Sequence, residues 1–189
     1  PGEFIPVAED SGLIVEASRW ALKESCKALK RIEGQVGYDH DLFVAVNFSS
    51  TDFAQENFLD QVYKTLSETD MDPKKINLEI TERLLMTQPQ NAKETLDMCK
   101  KAGLKTSIDD FGTGYSSLSY LHYYPIDKLK IDQSFIRNMQ KDETAMELVK
   151  SIIMLAKNMN MVSVAEGVED KAEALKIKEM GCNEAQGYY

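Results

Sequence analysis

Seven polar residues stand at the ends of six short apolar runs, and their types suit cation binding and proton transfer. They are Asn47, Glu79, the adjacent pair Asp109 and Asp110, Lys130, Glu166 and Gln186. Carboxylates gathered within a few ångströms repel one another and raise their own pKa values unless cations neutralise them. Oxygen donors without thiolate or imidazole select hard ions such as Mg²⁺ or Mn²⁺. Neighbouring carboxylates can serve two such ions, and two ions suit in-line hydrolysis of a phosphodiester. A lysine among them can orient the attacking water or offset developing negative charge. A single acid at a strand end is more often the N-cap of the next helix, but that does not explain six strand ends at once. Asn47 and Gln186, taken singly, read as structural. Lys130 lies inside an apolar run, where an ammonium group needs a partner.

The runs that would position these residues are 42–46, 75–79, 105–108, 128–131, 161–165 and a last one near 182–188. Between them, apolar residues recur at helical spacing over 15–30, 57–67, 91–102, 144–158 and 171–180. Strands alternating with amphipathic helices build a parallel sheet, and in a parallel barrel all strand C-termini open on one face. The predicted class is therefore α/β, with the seven residues converging on one cleft. The rhythm alone fits a closed barrel and an open doubly wound sheet equally. Gly103 and Gly181 stand where helix C-termini want a left-handed residue. The segment Asp109-Asp-Phe-Gly-Thr-Gly-Tyr-Ser-Ser-Leu118 is the most specific on the chain. Gly112 and Gly114 permit a tight or mobile loop, and Thr113, Ser116 and Ser117 can hydrogen-bond it shut.

The 189 residues carry no Pro/Gly/Ser-rich linker, so residues 1–189 read as one domain. With 43% hydrophobic and 28% charged residues, the chain has an ordinary globular composition. Its net charge of −9 argues against long nucleic acid as a partner. Three scattered cysteines and two histidines leave no zinc site of the usual kind. The longest apolar stretch, around 151–156, is far shorter than the roughly 20 residues a membrane span needs. The opening residues do not form a secretion signal, so a cytoplasmic setting is expected, including as the cytoplasmic part of a membrane-anchored protein.

Taken together, Val46-Asn-Phe-Ser49, Glu79-Ile-Thr-Glu82, the 109–118 segment, Lys130-Ile-Asp132, Ala165-Glu-Gly-Val-Glu169 and Gln186-Gly-Tyr188 resemble the EAL-domain family of cyclic-di-GMP phosphodiesterases. The likeness runs nearly end to end. It implies a TIM-like (β/α)₈ barrel that linearises cyclic-di-GMP to 5′-pGpG with two Mg²⁺ or Mn²⁺ ions, as part of a bacterial multidomain signalling protein. By the same resemblance, Asn47, Glu79, Asp109 and Asp110 are metal ligands. Lys130 contacts the hydrolytic water or phosphate, and Glu166 is a water-positioning base or outer ligand. Glu82 anchors the 109–118 loop, Glu169 supports Glu166, and Gln186, Gly112, Thr113 and Gly114 line the substrate site. A homodimer formed near the loop is also implied.

The family's name-giving Glu-Ala-Leu on a first strand, with a further metal-binding Glu, does not precede the match here. A full barrel of this type needs about 250 residues. The expectation is thus an incomplete barrel of about six strands, lacking the first strand and the last helix, with metal binding weakened accordingly. Asp170 replaces the family's usual Thr, a change expected to be harmless. Two other readings compete with the phosphodiesterase: a non-enzymatic cyclic-di-GMP receptor or dimerisation module, and an unrelated barrel acting on another phosphate ester or an enolisable substrate.

Overall fold

The computed structural model describes residues 2–36, 41–87, 89–113 and 121–189. Gly114, Ser116 and Ser117 of the loop lie outside them. The chain divides into two compact units, Pro1–Ile80 with Leu84–Thr106, and Thr81–Arg83 with Ser107–Tyr189.

The first unit opens with helices α1 (Phe4–Asp10) and α2 (Ile14–Val36). In α2 the buried positions Ile14, Ser18, Leu22, Cys26, Leu29 and Glu33 recur every three or four residues, so one stripe faces inward. That stripe packs on strand β1 (Val44–Phe48) and on helix α4 (Phe58–Thr69). Between β1 and α4, the short α3 (Ser50–Phe53) is closed by a capping box in which Ser49 and Asp52 satisfy each other's backbone N–H groups. A 3₁₀ turn (Pro73–Lys75) leads into β2 (Ile76–Thr81). Strands β1 and β2 pair in parallel, with Ala45 opposite Asn77 and Asn47 opposite Glu79. Helices α5 (Glu82–Thr87) and α6 (Pro89–Lys101) follow. Helix α6 ends at Gly103, whose φ of 85° is the left-handed conformation expected at a helix stop.

The second unit carries most of β3 (Lys105–Phe111), then β4 (Lys128–Ile131), β5 (Val162–Glu166) and β6 (Glu184–Gln186). Each of β4, β5 and β6 pairs in parallel with the strand before it. Helix α7 (Gln133–Asn138) follows β4, α8 (Glu143–Asn158) leads into β5, and α9 (Lys171–Glu179) lies between β5 and β6. Helix α8 buries Ala145, Val149, Ile152, Ile153 and Ala156 against β4, β5 and α7. Residue 170 is the N-cap of α9, its carboxylate accepting from the Glu173 N–H at 2.8 Å. Asp ranks at least as well as Thr as a helix N-cap, so the position keeps a capping side chain.

The strands and long helices lie close to where the sequence pattern puts them. What it does not show are the short helices α1, α3, α5 and α7, which are too brief to display a period.

Candidate functional site

In the second unit the registers put Ser107, Lys128, Lys130, Val164, Glu166 and Gln186 on one face of successive strands. Lys130 is 3% exposed. Its ammonium lies 2.9 Å from a carboxylate oxygen of Asp109 on β3 and 2.6 Å from one of Glu166 on β5. The lysine inside the apolar run thus has two carboxylate partners, one from the strand on either side.

Adjacent strand residues normally point to opposite faces, yet carboxylate oxygens of Asp109, Asp110 and Glu166 all lie within 4.8 Å of one another. The backbone explains this. Ile108 pairs with Leu129 and Phe111 with Ile131, so β3 carries one residue more than β4 over this span. Within that bulge Asp110 takes a φ of 52°, a left-handed conformation that Asp tolerates better than most residues. The extra residue turns the second carboxylate back toward the first. Desolvation raises the Asp110 pKa most, followed by the charges of Asp109 and Asp132, while Lys130 opposes the rise. Three oxygen-donor carboxylates this close, one of them reluctant to ionise, fit a hard divalent cation.

Asp109 and Glu166 are not helix caps. Among the described residues that role falls to Ser49, Asp72, Asp132, Asp142 and Asp170. Glu82, also buried, accepts a hydrogen bond from the Gly112 N–H at 3.4 Å, next to the acidic pair. Thr113 donates both its N–H and its hydroxyl to the Asp110 carbonyl. Gly112 has a φ of 97°.

Beside Glu166, a cleft is lined by Gln133, Arg137, Gly167, Glu169, Gln186 and Tyr188. The Glu169 carboxylate pairs with Arg137. Arg137 is a residue the sequence reading did not single out, since it lies on the short helix α7 and 32 residues from Glu169. In the first unit, Asn47 and Glu79 face each other across β1 and β2, Asn47 exposed and Glu79 buried.

An α/β chain with acidic residues clustered at parallel strand ends presents oxygen donors of the kind a hard cation takes. Residues 1–189 match the EAL domain family along their whole length, and the chain belongs to that family. It is 39% identical over 189 residues to signaling protein YkoW of Bacillus subtilis, covering 100% of this chain and 23% of that protein. It is 38% identical over 188 residues to MucR of Pseudomonas aeruginosa, a bifunctional diguanylate cyclase/cyclic di-GMP phosphodiesterase, covering 100% and 27%. The structure of the MucR phosphodiesterase in complex with c-di-GMP superposes with a TM-score of 0.93 at 37% identity, over 99% of this chain and 75% of that one. The fold class is therefore that of the TIM-like barrels, incomplete, with six parallel strands among the described residues. The chain spans about a quarter of the length of these curated relatives.

The letters Glu-Ala-Leu do occur, at 173–175, but in the first turns of α9. There Glu173 accepts from the Glu169 N–H at 2.8 Å. That is a capping segment, not the strand-borne motif. Among the described residues no helix is long and apolar enough to cross a membrane.

Proposed function

We propose that residues 1–189 form one phosphodiesterase domain that hydrolyses cyclic-di-GMP to linear 5′-pGpG with two Mg²⁺ or Mn²⁺ ions. What carries the reading is the buried Lys130 held between Asp109 and Glu166, with Asp110 turned into the same cluster. Asp109 and Asp110 are ligands, and Asn47 and Glu79 complete the set by the family pattern. The bound ions would supply Lewis-acid stabilisation of charge on the phosphoryl oxygens. Lys130 donates a hydrogen bond to the attacking water or to the phosphate, and Glu166 orients that water and takes up its proton. Glu82 holds the backbone at Gly112, so that Gly112 and Thr113 border the substrate together with Gln186. Glu169 belongs to the wall behind Glu166. The domain acts in the cytoplasm as part of a longer signalling polypeptide, working as a homodimer; of these three features, the length of the relatives supports the longer polypeptide.

The test is hydrolysis of cyclic-di-GMP by the full-length protein with Mg²⁺. Lys130→Ala is expected to lower kcat about 100-fold or more, as for loss of a charge-stabilising donor, and Glu79→Ala to abolish turnover through metal loss. Full activity in either variant overturns the assignment. Tight binding of cyclic-di-GMP by the wild type without turnover would identify a receptor instead.

A further inference from the structure

Glu166 sits at the end of β5, on the turn Glu166-Gly-Val-Glu169, and helix α7 grips that turn at two points. Gly167 has a φ of 67°, and a Cβ there would stand 2.6 Å from the Cβ of Gln133, so the turn lies directly against the first residue of α7. One helical turn on, Arg137 pairs with the Glu169 carboxylate. Residues four apart share a helix face, so Gln133 and Arg137 meet the same segment. Between the two points, Val168 is buried, its N–H donating to the Gln186 carbonyl and its own carbonyl accepting from Tyr189. The N-cap of helix α7 is Asp132, two residues after Lys130, and Asp132 accepts from the Ser134 N–H and hydroxyl. One short helix is thus joined at its start to the strand bearing Lys130 and, along one face, to the turn bearing Glu166.

We infer that Arg137 is a positioning residue: by holding Glu169 it fixes the 166–169 turn and so keeps Glu166 against Lys130. The catalytic part of this inference rests on the phosphodiesterase reading; the structural part does not. The Arg137–Glu169 pair is about half exposed, so the effect is modest, of the size of an exposed ion pair.

Two measurements on the full-length protein separate the claims. Amide hydrogen exchange is expected to quicken several-fold at Val168 and Glu169 in Arg137→Ala, and to return toward the wild-type rate in Arg137→Lys, which keeps a cation for Glu169. Unchanged exchange overturns the inference whether or not the protein is an enzyme. In steady-state assays with cyclic-di-GMP, Arg137→Ala is expected to lower kcat by about fivefold, with KM altered by less than twofold and rescue by lysine. A rise in KM at constant kcat would instead make Arg137 a substrate contact and overturn the positioning role. Lys93→Ala, which removes an exposed i,i+4 pair with Asp97 on α6, serves as the control without effect. A wild type that fails to turn over cyclic-di-GMP removes the phosphodiesterase reading and leaves the exchange result to judge Arg137.

Discussion

Burial decides what the charged side chains of this chain do. Lys130 is almost wholly enclosed and has two carboxylates at hydrogen-bonding distance; removing a partner from such a group leaves a buried charge uncompensated, whereas an exposed pair such as Lys93 with Asp97 is worth little. Asp52 is a buried acid of a different kind. Its carboxylate accepts from the Ser49 N–H at 2.8 Å, the Ser49 hydroxyl at 2.7 Å and the Ser18 hydroxyl at 3.0 Å. Desolvation nevertheless outweighs these bonds and raises its pKa above the ordinary 3.8. The fold therefore binds that proton more tightly than the unfolded chain does. Its contribution to stability is fully present below about pH 4 and declines as pH rises through the raised value. Asp52→Asn keeps an acceptor for Ser49 and removes the charge. In melting curves of both proteins from pH 4 to pH 7, the Tm of the variant minus that of the wild type should rise with pH; a value that stays constant or falls would mean the hydrogen bonds, not burial, dominate.

At the scale of elements, the parallel strands and long helices were legible because each buries a regular pattern. Strand β2 is closed to solvent on both faces through Ile76, Leu78 and Ile80 on one and Asn77 and Glu79 on the other, and a polar residue on such a strand stands out in sequence. The β3 bulge was not legible: two adjacent aspartates read the same in a straight strand and in one with an inserted residue, and only pairing with β4 reveals the difference. The Arg137–Glu169 link was hidden for a related reason, since 32 residues separate the partners and neither lies in an apolar run. Gly187 is a case where one residue type is forced by approach of backbone to backbone. A Cβ at that position would run into the nitrogen and carbonyl of Val168, which the strand extension from Gln186 to Tyr189 brings alongside. Gly187→Ala should cost about 1–3 kcal/mol, the usual toll of overpacking, and lower Tm by roughly 2–12 °C. The same variant should lose amide protection at Val168. An unchanged Tm with intact protection would show that β6 can shift freely, and the close approach would then carry no constraint.

For the molecule as a whole, the balance of charge makes cations more than local partners. The chain carries a net charge of −9, so any salt reduces its self-repulsion to some degree. A site for a hard divalent ion must therefore be distinguished from screening. A ligand that binds only the folded state stabilises it by mass action, about 1.4 kcal/mol at roughly ten times its Kd. For a chain of this size that corresponds to a rise in Tm of roughly 3–6 °C. Screening, by contrast, depends on ionic strength and not on the identity of the ion. Mg²⁺ or Mn²⁺ should raise Tm beyond NaCl of matched ionic strength, and the excess should vanish in Asp109→Asn/Asp110→Asn. That double variant also carries less repulsion within the cluster, because Asp110 already resists ionisation beside Asp109 and Asp132. Against that, Asp109→Asn takes from buried Lys130 one of its two carboxylates, and this loss is the larger, so without divalent ion the double variant should melt below the wild-type temperature. A wild type that responds equally to NaCl and MgCl₂ would reduce the acidic cluster to a surface feature neutralised by Lys130 alone, and would take the hydrolytic reading with it.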